Sequence, residues 1–178
     1  MGEQPFTADE VRELRQLLEI EKIRKVKLLY SQLMDSREID ALADLFADDA
    51  VCEFGPYGNW HGREEISRNY HDVFKDDIPY GGFHATTNQW VELTGPTSAV
   101  SRTYLIDVIH EPDPRTNPVI WYGLYDEDYR KLGGEWKIQR CSLQFLWPKR
   151  LLTENWPGPF PGTSGPFPGT RGQQPPGG

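Results

Sequence analysis

Hydrophobic and polar positions follow two different rhythms along this chain. Up to about residue 74 the apolar residues recur every three or four positions, and from Phe83 onward they alternate in the short steps of strands. Thr7-Ala8-Asp9-Glu10 has the spacing of a reciprocal helix cap, Thr at the N-cap and Glu three residues on. It opens a predicted helix reaching about Met34, with Val11, Leu14, Leu17 and Leu18 early and Ile23, Val26, Tyr30, Leu33 and Met34 later on one face. Asp35 or Ser36 is placed to cap a second, short helix, on which Leu42, Leu45 and Phe46 make one apolar stripe. Asp48-Asp49 breaks that helix, and residues 50–54 read as strand. A turn cluster, Gly55-Pro56-Tyr57-Gly58-Asn59, and Trp60 follow. A third helix is predicted from His61 to about Phe74, its apolar face made by Ile66, Tyr70, Val73 and Phe74.

Four long strands are predicted over residues 83–93, 98–110, 118–131 and 135–147. Gly95-Pro96, Glu111-Pro112-Asp113-Pro114 and Gly133-Gly134 separate them as turns. Helices first and hairpin-linked strands after define an α+β chain, and strands of this length imply a strongly bent sheet. Simple alternation puts His84, Thr86, Asn88 and Trp90 on one face of the first strand. In the second it groups Ser101, Thr103, Leu105 and Asp107 against Arg102, Tyr104, Ile106 and His110. In the last it groups Trp136, Ile138, Arg140, Ser142 and Gln144. Each set mixes apolar and polar groups, which suits a cavity lining better than a dry core.

Composition narrows the picture. The chain has 178 residues, enough for one domain with a sizeable core, and a formal net charge of −8, which disfavours nucleic-acid binding. No apolar run approaches the ~20 residues of a membrane span. Met1-Gly2-Glu3-Gln4-Pro5 lacks the basic and apolar parts of a secretion signal, so a cytoplasmic location is expected. Cys52 and Cys141 have no metal-ligand spacing and read as reduced core residues. Phosphate loops, dinucleotide fingerprints and metal-ligand clusters are absent, so the expectation is no cofactor and no metal. Residues 1–155 read as one domain. The tail 156–178 holds 7 of the 15 prolines and 7 of the 17 glycines, and contains Gly-Pro-Phe-Pro-Gly-Thr twice. It is either a flexible tail or, through Trp156, Phe160 and Phe167, a segment docked over a pocket or a neighbouring subunit.

Several residues invite a chemical reading beside a structural one. Tyr30 on the inner helix face is a core tyrosine or a pocket hydroxyl. Asp35 caps the second helix or serves a site. His84 is a satisfied buried histidine or a base, since a neutral imidazole accepts a proton near neutral pH. His61, His71 and His110 are read as structural or solvated. If Asp35 meets His84, it fixes the ring's tautomer and stabilises the imidazolium. Two nearby carboxylates, Asp35 and Asp107, would push one toward the protonated form. Arg140 would neutralise Asp107 or hold an anionic substrate group.

Tyr30, Asp35, His84 and Asp107, in that order, together with Leu-Phe-Ala-Asp-Asp-Ala-Val at 45–51 and the His84…Asn88 spacing, resemble SnoaL-like proteins of the nuclear transport factor 2-like superfamily. The similarity is to the bile-acid dehydratase branch over roughly residues 10–150, with scytalone dehydratase and hexachlorocyclohexane dehydrochlorinase as more distant relatives. The resemblance implies a cone-shaped α+β barrel, a curved mixed sheet with three to four helices enclosing an apolar pocket. It implies Tyr30, Asp35, His84 and Asp107 as the catalytic set. Arg140, Asn88, Trp60, Tyr122 and Phe54 are expected to contact substrate. The expected activity is a cofactor-independent lyase acting on an apolar ring or aromatic compound by dehydration, related β-elimination or formaldehyde release. The alternatives are an isomerase or cyclase, a non-catalytic binding module, or the small subunit of a ring dioxygenase. Relatives of this kind lead one to expect a homo-oligomer, dimer or trimer.

Overall fold

The computed structural model describes residues 6–76, 78–110, 115 and 118–148. Helix α1 spans Ala8–Ser36 and starts where the cap spacing places it: Thr7 accepts from the Glu10 amide while Glu10 accepts from the Thr7 amide. It stops at Arg37, a non-glycine residue in the left-handed region (φ 64°), where the Glu38 amide reaches back to the Leu33 carbonyl at 2.9 Å. The buried stripe begins only at Ile23 and continues through Lys27, Tyr30, Ser31 and Met34, so Leu14, Leu17 and Leu18 on the first half stay exposed. Glu19 ties the two halves to the sheet by accepting from Lys131 at 2.6 Å and from the Trp136 indole at 2.7 Å.

The segment after α1 differs from its pattern. Helix α2 is only Ile39–Ala43, its N-cap is Glu38, and no side chain caps it. Asp35 is occupied elsewhere, and Ser36 points back at the Leu33 carbonyl and Glu38. Strand β1 then spans Phe46–Glu53, so Phe46 and Asp48-Asp49 belong to a strand and not to a helix. The Ile138 amide already holds the Leu45 carbonyl at 2.8 Å, and the exposed aspartates sit where the register between β1 and the last strand is broken. A short 3-10 turn at Gly55–Tyr57 leads to β2, Asn59–His61, which pairs antiparallel with β1. Helix α3 therefore starts at Arg63 and not at His61, and ends at Phe74.

Strands β3 (Gly82–Leu93), β4 (Ser98–Ile109), β5 (Val119–Leu132) and β6 (Glu135–Trp147) lie within about a residue of their predicted bounds. The sheet order is β2-β1-β6-β5-β4-β3, with β1 and β6 parallel and the other neighbours antiparallel. Edges remain at β2 and β3, so this mixed sheet is open and not a closed barrel. Its inner face packs on α1 and α3 around a core of Phe46, Ile66, Leu105, Tyr125, Ile138 and their neighbours.

Two bulges overturn two of the face assignments. In β3 the register slips between Thr87 and Trp90, with Asn88 left-handed at φ 52°. Beyond it the parity inverts: His84 and Thr86 face inward, whereas Trp90 pairs with Arg102 on the outer face. In β6, Gln139 is the extra residue between Ile138 and Arg140. Trp136 and Ile138 stay inside, but Arg140, Ser142 and Gln144 move outside and Cys141, Leu143 and Phe145 take the inner positions. Strand β4 keeps an unbroken register, and its alternation holds as read.

The core also contains an unforeseen ion pair. Lys27 Nζ donates to Glu127 Oε1 at 2.7 Å, and both side chains are almost wholly enclosed. The ammonium lies 3.3 Å from the Tyr125 ring centroid and 4.1 Å from that of Tyr30, a cation held on two aromatic faces. Tyr129 donates to the second Glu127 oxygen at 3.0 Å. The Cys141 thiol lies 3.6 Å from Glu127, and both cysteines are free and buried, burial pushing their pKa values up. The Pro/Gly/Phe-rich stretch 156–178 and the turn at 111–114 lie outside the described residues. Among the described residues no helix is long and apolar enough to cross a membrane.

Candidate active site

Helix α1 ends against the first residues of β3, and that junction builds the site. His84 Nδ1 lies 2.6 Å from Asp35 Oδ1. The backbone amide of His84 donates to the same carboxylate, 3.1 and 3.2 Å from its two oxygens. The Asp35 carbonyl in turn accepts from the Tyr80 amide at 2.9 Å. Asp35 thus clamps both the main chain and the ring of His84. A carboxylate accepting at Nδ1 selects the tautomer protonated there and leaves Nε2 bare.

Across the β3–β4 ladder, His84 sits directly opposite Asp107. Their side chains share the inner face, with Nε2 3.8 Å from Asp107 Oδ1, beyond hydrogen-bond length. Asp107's pKa is raised, chiefly by burial and further by the Asp35 charge, with His84 and Arg37 pulling the other way. A proton arriving on Nε2 would place an imidazolium between two carboxylates.

Both residues open into a cavity of about 170 Å³, comparable to the ~150 Å³ of an engineered apolar cavity that holds benzene. Its walls are mostly aromatic: Phe54, Trp60, Phe74, Trp121 and Phe145. Phe54 and Trp60 meet edge-on at 4.9 Å, as do Trp121 and Phe145 at 5.5 Å. Tyr30 lines the same cavity, and its hydroxyl lies 2.9 Å from that of Tyr70 on α3. Tyr125 packs edge-on against Tyr30 at 5.7 Å. Burial raises the pKa of all three tyrosines well above 10, so they are neutral phenols near neutral pH.

Of the residues singled out from sequence, Tyr30, His84, Asp107, Trp60 and Phe54 line this cavity, and Asp35 stands directly behind His84. Three do not reach it. Asn88 is exposed at the β3 bulge. Tyr122 is on the outer face, its ring 5.5 Å from Trp147. Arg140 is also outside, held by Asp128 at 2.8 Å, Asp126 at 2.7 Å and Glu53 at 3.4 Å, and so is not a partner of Asp107. Against the opposing effect of burial, Asp128 and Asp126 raise its pKa further. His110 is exposed at the end of β4, and His71 pairs at the surface with Asp40 at 3.0 Å.

Lys27, Glu127, Tyr125 and Arg37 had no place in the sequence reading. Lys27 was detectable: it sits four residues after Ile23 and three before Tyr30, on the apolar stripe, where a cation requires a buried counter-charge. Arg37 lines the cavity with its guanidinium 4.2 Å from the Phe74 ring centroid.

An open mixed sheet packed by helices around an apolar cavity is the architecture of a nuclear transport factor 2-like protein. Residues 15–142 match the model of the SnoaL-like domain, and the chain belongs to that family. A candidate scytalone dehydratase from Novosphingobium aromaticivorans superposes with TM-score 0.68 at 22% identity, covering 78% of this chain and 94% of that one. An NTF2-like protein with a cystatin-like fold from the same organism gives 0.69 at 18% identity, over 82% and 94%. LinA gives 0.68 at 16% identity, over 83% and 98%. At these identities the likeness is one of fold. A search of curated proteins finds no match.

Proposed function

We propose that the protein is a lyase working by proton transfer on an apolar ring or aromatic compound, with His84 as general base. The observation that carries this reading is the 2.6 Å contact between Asp35 and His84 Nδ1 beside a cavity that Nε2 can serve. Nε2 takes the proton, Asp35 stabilises the imidazolium, and Tyr30 assists the departing oxygen. The same imidazolium returns its proton to the leaving hydroxide, so the elimination releases water and resets the ring. Loss of formaldehyde from a hydroxymethyl-bearing aromatic runs on the same base. The neighbours described as candidate dehydratases, one of them from Streptomyces avermitilis, add support at the level of the family.

The test is a panel of ring alcohols and hydroxymethyl aromatics incubated with the protein and with His84→Ala, products being read by mass. Loss of water or formaldehyde, slowed by ~10²–10⁴-fold in the variant, is the expected result. Unchanged product mass with a moved double bond would favour an isomerase. Equal rates in a folded variant would overturn the assignment of His84.

A further inference from the structure

Helix α1 carries a second apolar face, turned away from the sheet. Leu14, Leu17 and Leu18 are 41%, 56% and 61% exposed, and Val11 is half-buried beside them. The residues of α1 that meet the core begin at Ile23, on the opposite side of the helix. At about 100° per residue, Leu14 lies about 180° and Leu18 about 140° round from Ile23. A single exposed leucine is ordinary, but these share two turns of one face and make a patch.

Charge is sorted to either side of that patch. Asp9, Glu10 and Glu13 against Arg12 leave residues 9–13 at a net −2. Lys22, Arg24 and Lys25 against Glu21 leave residues 21–25 at a net +2. The leucines at 14, 17 and 18 lie midway between the two blocks. Such a face, negative then apolar then positive, is complementary to itself when reversed.

We propose that α1 is a self-association surface, on which two copies of the chain pair antiparallel about a two-fold axis near Leu17. Leu14 of each copy then packs at the level of Leu18 of the other, the isologous contact a two-fold dimer requires. The −2 block of each copy meets the +2 block of the other, twice over. A parallel pair would set each block against its own kind. Arg15 is the exception: it meets a like charge near the axis, from the flank of the patch about 100° round from Leu14. Two helices paired over residues 7–25 touch along ~28 Å, an interface at the small end of the specific range, so the dimer dissociates on dilution.

Sedimentation velocity of the full chain over a concentration series tests the pairing. Wild type should pass from monomer to dimer as concentration rises. Leu14→Lys/Leu18→Lys should weaken association roughly tenfold or more, with an unchanged melting temperature in dilute solution because both side chains are exposed. Cross-linking tests the register, since the two native cysteines, Cys52 and Cys141, are buried and do not compete with an added thiol. A short bis-maleimide should join Leu17→Cys to its own copy near the axis. Leu28→Cys, at a position equally exposed (55% against 56%), would stand ~35 Å from its counterpart and should remain unlinked. Wild type monomeric at every concentration overturns the proposal, and so does an oligomer that the paired leucine substitution leaves intact. Equal linking at the two cysteine positions contradicts antiparallel pairing and overturns it as well.

Discussion

Replacing Lys27 by Met probes the least expected feature of the core. Lys27 and Glu127 are almost entirely enclosed, and their 2.7 Å contact is the carboxylate's only ion pair among the described residues. Removing one partner of such a pair leaves a charge in a medium that solvates it poorly, at a cost of about 3–5 kcal/mol. The cation on the Tyr125 and Tyr30 faces contributes about 1–2 kcal/mol more, of which a Met thioether recovers roughly half through its own aromatic contacts. Against a total stability of about 5–15 kcal/mol this is a large fraction. It should lower the melting temperature by roughly 7–24 °C in a domain of this size. The deficit should grow as pH rises, because the abandoned carboxylate is costly charged and tolerable protonated. Urea unfolding at two pH values measures it, beside Lys27→Met/Glu127→Gln. The double variant removes the charge and keeps an oxygen for the Tyr129 hydroxyl, so it should return to within about 2 kcal/mol of wild type. A single variant within about 1 kcal/mol of wild type, or a double variant no better than the single, refutes the argument.

Two other changes test neighbouring parts of the account. Glu19 has its pKa lowered from 4.5 to about 2 by hydrogen bonds from Lys131, Lys22 and Trp136. Its contribution to stability is therefore present above pH 4.5 and lost as pH falls toward 2, so Glu19→Gln should flatten the acid side of the stability curve between those values, as read by melting temperature against pH. A Cβ on Gly82 would lie 2.2 Å from the Val108 carbonyl oxygen, so Gly82→Ala must push the start of β3 off β4. Since His84 and Asp107 face each other two residues further on, the variant should lose turnover at a smaller cost in stability, measured side by side on the same preparation.

Much of this arrangement could be read from the sequence because it depends on local patterns. The cap at Thr7 marks α1, and strict alternation carried β4 correctly, Asp107 included. His84 falls before the bulge in β3, which is why its face was legible. What failed lies beyond single inserted residues. Gln139 and the bulge at Asn88 each reverse the positions that follow, in β6 as far as Phe145, and no propensity marks them: Asn at φ 52° is tolerable, but the sequence does not say that the strand will use it. Alternation alone puts Arg140 in the cavity wall, and the inserted Gln139 carries it to the other side of the sheet. Asp35 illustrates a different limit. Its spacing suits a helix cap as well as a site, and only the approach of β3 to the end of α1 decides between them. The hydroxyl of Tyr70 finds its partner forty residues away, through packing that no local pattern encodes.

For His84 to act as the base, Asp35 must hold it with Nδ1 protonated and Nε2 bare toward the cavity. Nitrogen NMR of imidazole-labelled protein at pH 8 tests it without a substrate. His84 should show a protonated Nδ1 and an unprotonated Nε2, with that preference lost in Asp35→Asn. A His84 protonated at Nε2, or one whose tautomer is indifferent to Asp35→Asn, would contradict it.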